Sequence, residues 1–136
     1  MITLLALTFG QFLSAQTQTD EQSIKGIVKE FIEATDVQDA ERLAATMHDQ
    51  AMQYVKFGPR FLSFDKATYV AQLKDKKVGG LPRTILYGNL IRSGKGVATQ
   101  VLEATSSKLK FLYQVSLIKT ESGWLITSIN TEVSQL

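Results

Sequence analysis

Cysteine is missing from all 136 residues. That single absence excludes disulfides, thiol nucleophiles, CxxC redox chemistry and cysteine zinc sites, and leaves the compartment to be read from elsewhere. Histidine is nearly missing too. His48 stands alone, and the chain shows neither clustered acidic ligands nor EF-hand spacing, so no metal and no other cofactor is expected. A serine triad would need His48 as its base, yet no G-x-S-x-G elbow presents a nucleophile. Charge of one sign is scarce as well: fifteen Lys and Arg against thirteen Asp and Glu leave +2, a weak field for phosphate or an anionic surface. Lys74, Lys76, Lys77, Lys108 and Lys110 are interrupted by Asp75 and Leu109 and lack neighbouring aromatic platforms. They read as a solvated face, and nucleic acid is not an expected partner. In GNLIRSGKG (88–96) five residues separate the first two glycines and Gly96 follows Lys95, which breaks the phosphate-loop pattern and leaves a hairpin turn.

What is present suits one domain. There is no repeat, no low-complexity tract and no Pro or Gly cluster long enough for a linker. A content of 44% hydrophobic and 21% charged residues over this length can bury a real core. At the start, Ile2 to Leu13 is apolar, Ser14 and Ala15 are small, and a polar stretch follows from Gln16. Residues 1–15 are therefore read as a signal peptide cleaved after Ala15, residues 16–136 as the mature domain, and the location as periplasmic or secreted in a bacterium. Two features depart from the usual signal: no Lys or Arg precedes Lys25, and Leu13 stands where a small residue is preferred. The apolar run is too short to span a membrane, which takes about 20 residues.

The rest is helices, then strands. Thr19 with Gln22 forms a capping-box pattern, and Ile24, Ile27, Val28, Phe31 and Ile32 recur at helical spacing to about Thr35. Asp39 can cap a second helix through AERLAATM, with Leu43, Ala44 and Met47 on its inner side and His48 in or beside its last turn. AMQYVKF (51–57) predicts a strand and Gly58-Pro59 a turn. Ser63 or Asp65 then opens a third helix carrying Phe64, Ala67, Val70 and Leu73, closed by KDKKVGG. After Leu81 come four strands, RTILYGNLIR, VATQVLEAT, LKFLYQVSLIKT and WLITSINTEV, separated by short turns: an antiparallel meander. Leu109, Phe111, Tyr113, Val115 and Leu117 fall on one face, Leu112 and Ile118 on the other. The first face should meet the helices. The second suits either a homodimer contact through the sheet face or a partly solvated sheet.

This order of elements resembles the nuclear-transport-factor-2-like superfamily, and within it the SnoaL-like and lumazine-binding-like small bacterial proteins. The resemblance rests on DVQDAERLAATMHDQAMQYV (36–55) and on the final hairpin FLYQVSLIKTESGWLITSINTEV (111–133), and covers roughly residues 20–136. It implies an α+β fold, a cone-like curved antiparallel sheet wrapped around N-terminal helices, with a pocket that members use for catalysis, for binding or as core. Fold alone does not choose among these. The resemblance to ketosteroid isomerase implies a general base near Val55, which carries no proton, and the paired histidines of hydratases with this fold are absent. Tyr113 and Gln114 stand where the family's Asp-Tyr pair is expected, so a contact built on that aspartate would be lost.

Candidate pocket residues follow from type and position. Tyr54, Tyr87, Tyr113 and Trp124 each join an apolar body to a polar tip, which suits a small hydrophobic or aromatic ligand or a core position equally well in kind. Gln100 and Gln114 lie mid-strand with apolar neighbours, and each faces either the pocket or water. Glu103 is the carboxylate well inside a strand; buried near a tyrosine it would serve as acid or base, and facing water it would not. His48, next to Asp49, is a base, a ligand at the pocket mouth, or a helix-to-strand joint. The expectation is an exported, non-catalytic binding module for such a ligand or a protein partner. The alternative is an isomerase- or lyase-type enzyme using Glu103 or Asp49 with tyrosine donors.

Overall fold

A computed structural model describes residues 18–136. The expected signal segment, 1–15, lies outside the described residues.

Helix α1, Asp20–Asp36, begins where the capping box predicts: the Thr19 hydroxyl accepts from Gln22 N, and the Gln22 side chain accepts from Thr19 N, each at 3.1 Å. Its buried stripe is Ile24, Val28, Phe31 and Ile32, the i, i+4, i+7, i+8 spacing of one helical face. Gln38 turns the chain with φ +57°. Asp39 then caps α2, Ala40–Thr46, by accepting from Arg42 N at 3.1 Å. Strand β1, Met47–Phe57, and β2, Arg60–Asp65, form a hairpin around Gly58-Pro59, in which Phe57 pairs with Arg60. Asp65 caps α3, Lys66–Lys74, through Thr68 N at 2.8 Å. The remaining strands are β3, Thr84–Arg92, β4, Val97–Thr105, β5, Leu109–Thr120, and β6, Gly123–Gln135.

The six strands make one sheet in the order β2-β1-β6-β5-β4-β3. Every pairing is antiparallel except β1 with β6, which run parallel, so the sheet is mixed. Register shifts fall between Tyr87 and Leu90 where β3 pairs with β4, and beside Ser116/Leu117 where β5 pairs with β6, the extra residue there being Thr127 of β6; such bulges bend a sheet. The inward row Tyr113, Val115, Leu117, with Leu102, Ile126 and Ile129, packs in one core with the α1 stripe. Leu112 faces outward and is exposed, as the alternation predicts.

Three local differences from the sequence reading have physical reasons. β2 was expected as turn and helix. It is an edge strand, exposed over most of its length, and such a strand owes its form to its partner more than to its own pattern. Phe64 accordingly belongs to β2, and α3 opens after Asp65 alone. α2 ends one residue before Met47, which is already extended (φ −114°, ψ 136°) and buried. His48 therefore lies in β1, in the stretch where the β1–β6 register slips between Met47 and Met52, and not in a helical last turn.

Candidate ligand cavity

The inner face of the sheet and the end of α1 leave a cavity of about 240 Å³. Its walls are mainly apolar: Val55, Phe64, Leu109, Phe111 and Val133 line it, with the exposed Leu62 and Leu81 at its rim. A loop brings the polar end. Gly79, at φ +75°, lies so close to α1 that a Cβ would stand 2.1 Å from the Thr35 carbonyl oxygen; only glycine fits both the angle and the approach. Gly80 N donates to that same carbonyl at 3.3 Å, and Gln38 Nε2 donates to Val78 O at 3.0 Å. Held in this way, the loop delivers Arg83 to the C-terminal residue of α1.

Arg83 donates through Nε to Asp36 Oδ1 at 2.6 Å and through its backbone N–H to Oδ2 at 3.0 Å; Nη1 donates to the Tyr113 hydroxyl at 2.5 Å. The two charged side chains are 4% and 9% exposed. The guanidinium also sits 4.5 Å from the Phe111 ring centre, and the Phe111 and Tyr113 rings stack at 6.0 Å. Burial pushes the Asp36 carboxyl above its ordinary value, outweighing the opposing pull of Arg83. Burial works to lower the Arg83 guanidinium, but Tyr113 and Asp36 overcome it and hold the group above its usual value. Burial also raises the Tyr113 phenol. Nη2 of Arg83, Nε2 of Gln53 and Oγ1 of Thr131 are buried with no hydrogen-bond partner among the described residues, and all three residues line this cavity. Gln53 and Thr131 lie on the adjacent strands β1 and β6, and Thr131 is paired with Tyr113 of β5.

Of the residues singled out from the sequence, Tyr113 alone lines this cavity. Tyr87 faces inward farther along, where its hydroxyl donates to Lys25 O at 3.4 Å. Trp124 is buried near the start of α1 and donates to Asp20 Oδ1 at 3.2 Å. Gln100 is fully buried, and its Nε2 donates to Gly88 O at 3.1 Å and Val101 O at 2.8 Å, stitching the β3 bulge. Tyr54 and Glu103 lie on the outer face, in a shallow groove of about 680 Å³. There Tyr54 stacks on Phe61 at 6.2 Å and Glu103 pairs with Lys110 at 3.1 Å. His48 is half-buried and its Nδ1 accepts from Gln50 N at 3.1 Å. Asp49 is 95% exposed and pairs with Lys66 at 3.0 Å, whose hydrogen bond holds its carboxyl below the usual value. Of the two alternative carboxylates, Glu103 thus shares the outer groove with Tyr54 and is paired with Lys110, while Asp49 lies elsewhere and is paired with Lys66. Among the described residues Asp36 is the one carboxylate lining the cavity, and it is engaged by Arg83. Val55, where the resemblance to ketosteroid isomerase implies a base, does line the cavity, as an aliphatic wall. Among the described residues no three His, Asp or Glu side chains converge as a metal-ligand set, and no helix is long and apolar enough to cross a membrane.

The cavity's polar residues escaped the sequence reading, though signals existed. An aspartate closing a helix opposes the helix dipole and needs a partner, and that describes Asp36. Gln53 and Thr131 interrupt apolar rows of period two, Ala51-x-Gln53-x-Val55 and Ile129-x-Thr131-x-Val133, which points them inward.

Helices packed on one face of a six-stranded mixed sheet, with the β1–β2 hairpin set between the second and third helices, are the nuclear-transport-factor-2-like, or cystatin-like, fold, and solved structures carry the likeness. An NTF2-like protein of unknown function from Shewanella baltica is 13% identical with a TM-score of 0.73, over 87% of this chain and 98% of that one. Another, from Methylobacillus flagellatus, is 16% identical with a TM-score of 0.72, over 88% and 96%. A domain of unknown function with a cystatin-like fold from Nostoc punctiforme is 19% identical with a TM-score of 0.69, over 86% and 78%. No protein-family model and no curated protein matches the sequence. Such identities establish the fold and leave function to the site.

Proposed function

We propose that this chain is an exported, non-catalytic binding module of the SnoaL-like or lumazine-binding-like kind, which holds a small hydrophobic or aromatic molecule in its inner cavity. The observation that carries this reading is the cavity itself: about 240 Å³, walled by Val55, Leu109, Phe111 and Val133, with its only lining carboxylate tied to Arg83. Binding sites for larger ligands run from about 300 Å³ upward, so the ligand is of one or two rings. General acid-base work needs a carboxylate free to exchange a proton with substrate, and Asp36 is committed to an ion pair. Native mass spectrometry of the protein from its own host tests the reading. A retained small molecule, displaced when Val55→Phe narrows the cavity, is the expected result; bare polypeptide that also ignores added apolar probes would sink it.

Export is supported by the apolar stretch 2–13 followed by Ser14 and Ala15. N-terminal sequencing of the exported protein should begin at Gln16, and finding Met1 overturns the proposal. A homodimer through the outer sheet face is supported by Phe61 and Leu86, 68% and 66% exposed, beside Leu112. Sedimentation should give twice the chain mass, falling to the monomer in Leu86→Asp; a wild-type monomer removes the dimer.

A further inference from the structure

We propose that the cavity is specific for a neutral, planar molecule whose carbonyl oxygen is taken by Arg83 Nη2, with the Gln53 amide and the Thr131 hydroxyl completing the subsite. The proposal rests on the binding reading above and names the chemistry of its ligand. A buried polar group without a partner is costly, and native proteins keep few of them. Here three residues that line one cavity of about 240 Å³ each carry such a group, Arg83 Nη2, Gln53 Nε2 and Thr131 Oγ1, none with a partner among the described residues. Gln100 Oε1 shares that condition, but its amide nitrogen is spent on the β3 bulge and it does not line the cavity. The orphaned groups at the cavity therefore form a set of their own.

Their chemistry selects the ligand. A guanidinium only donates, an amide nitrogen only donates, and a hydroxyl can donate, so the ligand must present acceptors. The charge is already balanced, because Asp36 meets Arg83 at 2.6 Å. A ligand carboxylate would place a second buried negative charge beside Asp36, which burial already makes reluctant to ionise. A carbonyl offers two lone pairs without that cost. The Phe111 and Tyr113 rings, whose planes are parallel to within 9°, both line the cavity and offer an aromatic surface to the attached ring.

Three probes built on a fused two-ring frame test this in equilibrium dialysis: coumarin, which carries a ring carbonyl, naphthalene, which has no acceptor, and 2-naphthoate, which is anionic. Each is measured on the wild-type protein and on Thr131→Val and Gln53→Met, two variants that leave the Arg83–Asp36 pair intact, with folding checked by circular dichroism. Coumarin should bind at least about tenfold more tightly than naphthalene, and each variant should lower coumarin affinity about fivefold while leaving naphthalene unchanged, the loss of one hydrogen bond. Equal binding of coumarin and naphthalene overturns the carbonyl inference and leaves the binding reading standing. Tightest binding by 2-naphthoate overturns the choice of a neutral ligand. No binding by any probe overturns the binding reading and this inference with it.

Discussion

Helix α1 carries an aspartate at each end, and the two have opposite surroundings. Asp20, in the first turn, meets Lys119 Nζ at 3.0 Å, Trp124 Nε1 at 3.2 Å and Arg92 Nη2 at 3.2 Å, with Arg92 stacked 5.2 Å over the indole. The helix dipole favours an acid there, and the Lys119 hydrogen bond, aided by Trp124, holds its carboxyl below the ordinary 3.8. Asp36, in the last turn, faces an unfavourable dipole and is buried. Burial pushes its carboxyl up even with Arg83 alongside. Both aspartates tie the helix to the sheet side of the molecule. At the first end the donors converge on one carboxylate and water does the rest; at the second, the arginine keeps a donor to spare inside a cavity. The first arrangement is a strap and the second is a candidate site.

The largest effect should come from breaking the buried end. Arg83→Met strips Asp36 of its partner, and removing one member of a buried pair costs about 3–5 kcal/mol. Denaturant unfolding at neutral pH measures that loss. It should shrink as pH falls, because a carboxyl whose folded-state value is raised is stabilised by taking up a proton; a loss independent of pH would show that Asp36 is not the stranded charge. Next comes the loop that delivers Arg83. Gly79→Ala forces a Cβ toward the Thr35 carbonyl at a positive φ, and the backbone strain alone is worth about 1–3 kcal/mol. Its melting temperature should fall, and its cavity binding should weaken with it, whereas Gly94→Ala, with φ +77° but open space around it, should lose stability only. The smallest effect belongs to the exposed end. Asp20 has a lowered value, so its contribution is present above about pH 3.8 and is lost as pH falls through the folded-state value. The fluorescence of Trp124, the single tryptophan, should follow that acid transition in the wild type and lose it in Asp20→Asn. A transition unchanged in the variant would mean that the strap is not what acid releases.

The contrast between the two ends also explains how much could be read from the sequence. The capping box at Thr19 and the strands VATQVLEAT and LKFLYQVSLIKT stand where their patterns put them, because caps and alternation are local signals. β2 was not legible, since RFLSFD carries little periodicity and is shaped by pairing with β1. For the site, Tyr113 was found because an aromatic on an inward row is conspicuous. Arg83 and Asp36 were not, because they stand 47 positions apart and meet only when a glycine loop folds back on a helix end. Gln100 shows the converse: its place mid-strand left the pocket and water equally open, and it is buried but serves the backbone of a bulge.

The parallel pairing of β1 with β6 has a consequence for how the chain is made. β1 lies near the front of the described fold and its inner neighbour is β6, so Val55 cannot meet Thr131 until β2 to β5 between them have been made. The β1–β2 hairpin must wait through the synthesis of three intervening strands with one edge uncovered, and long-range closures of this kind are slow. During that interval Gln53 and the apolar side of β1 are open to other chains. β6 therefore joins the β1–β2 hairpin to the other three strands of the sheet, and shortening it should be felt first as failed docking of that hairpin.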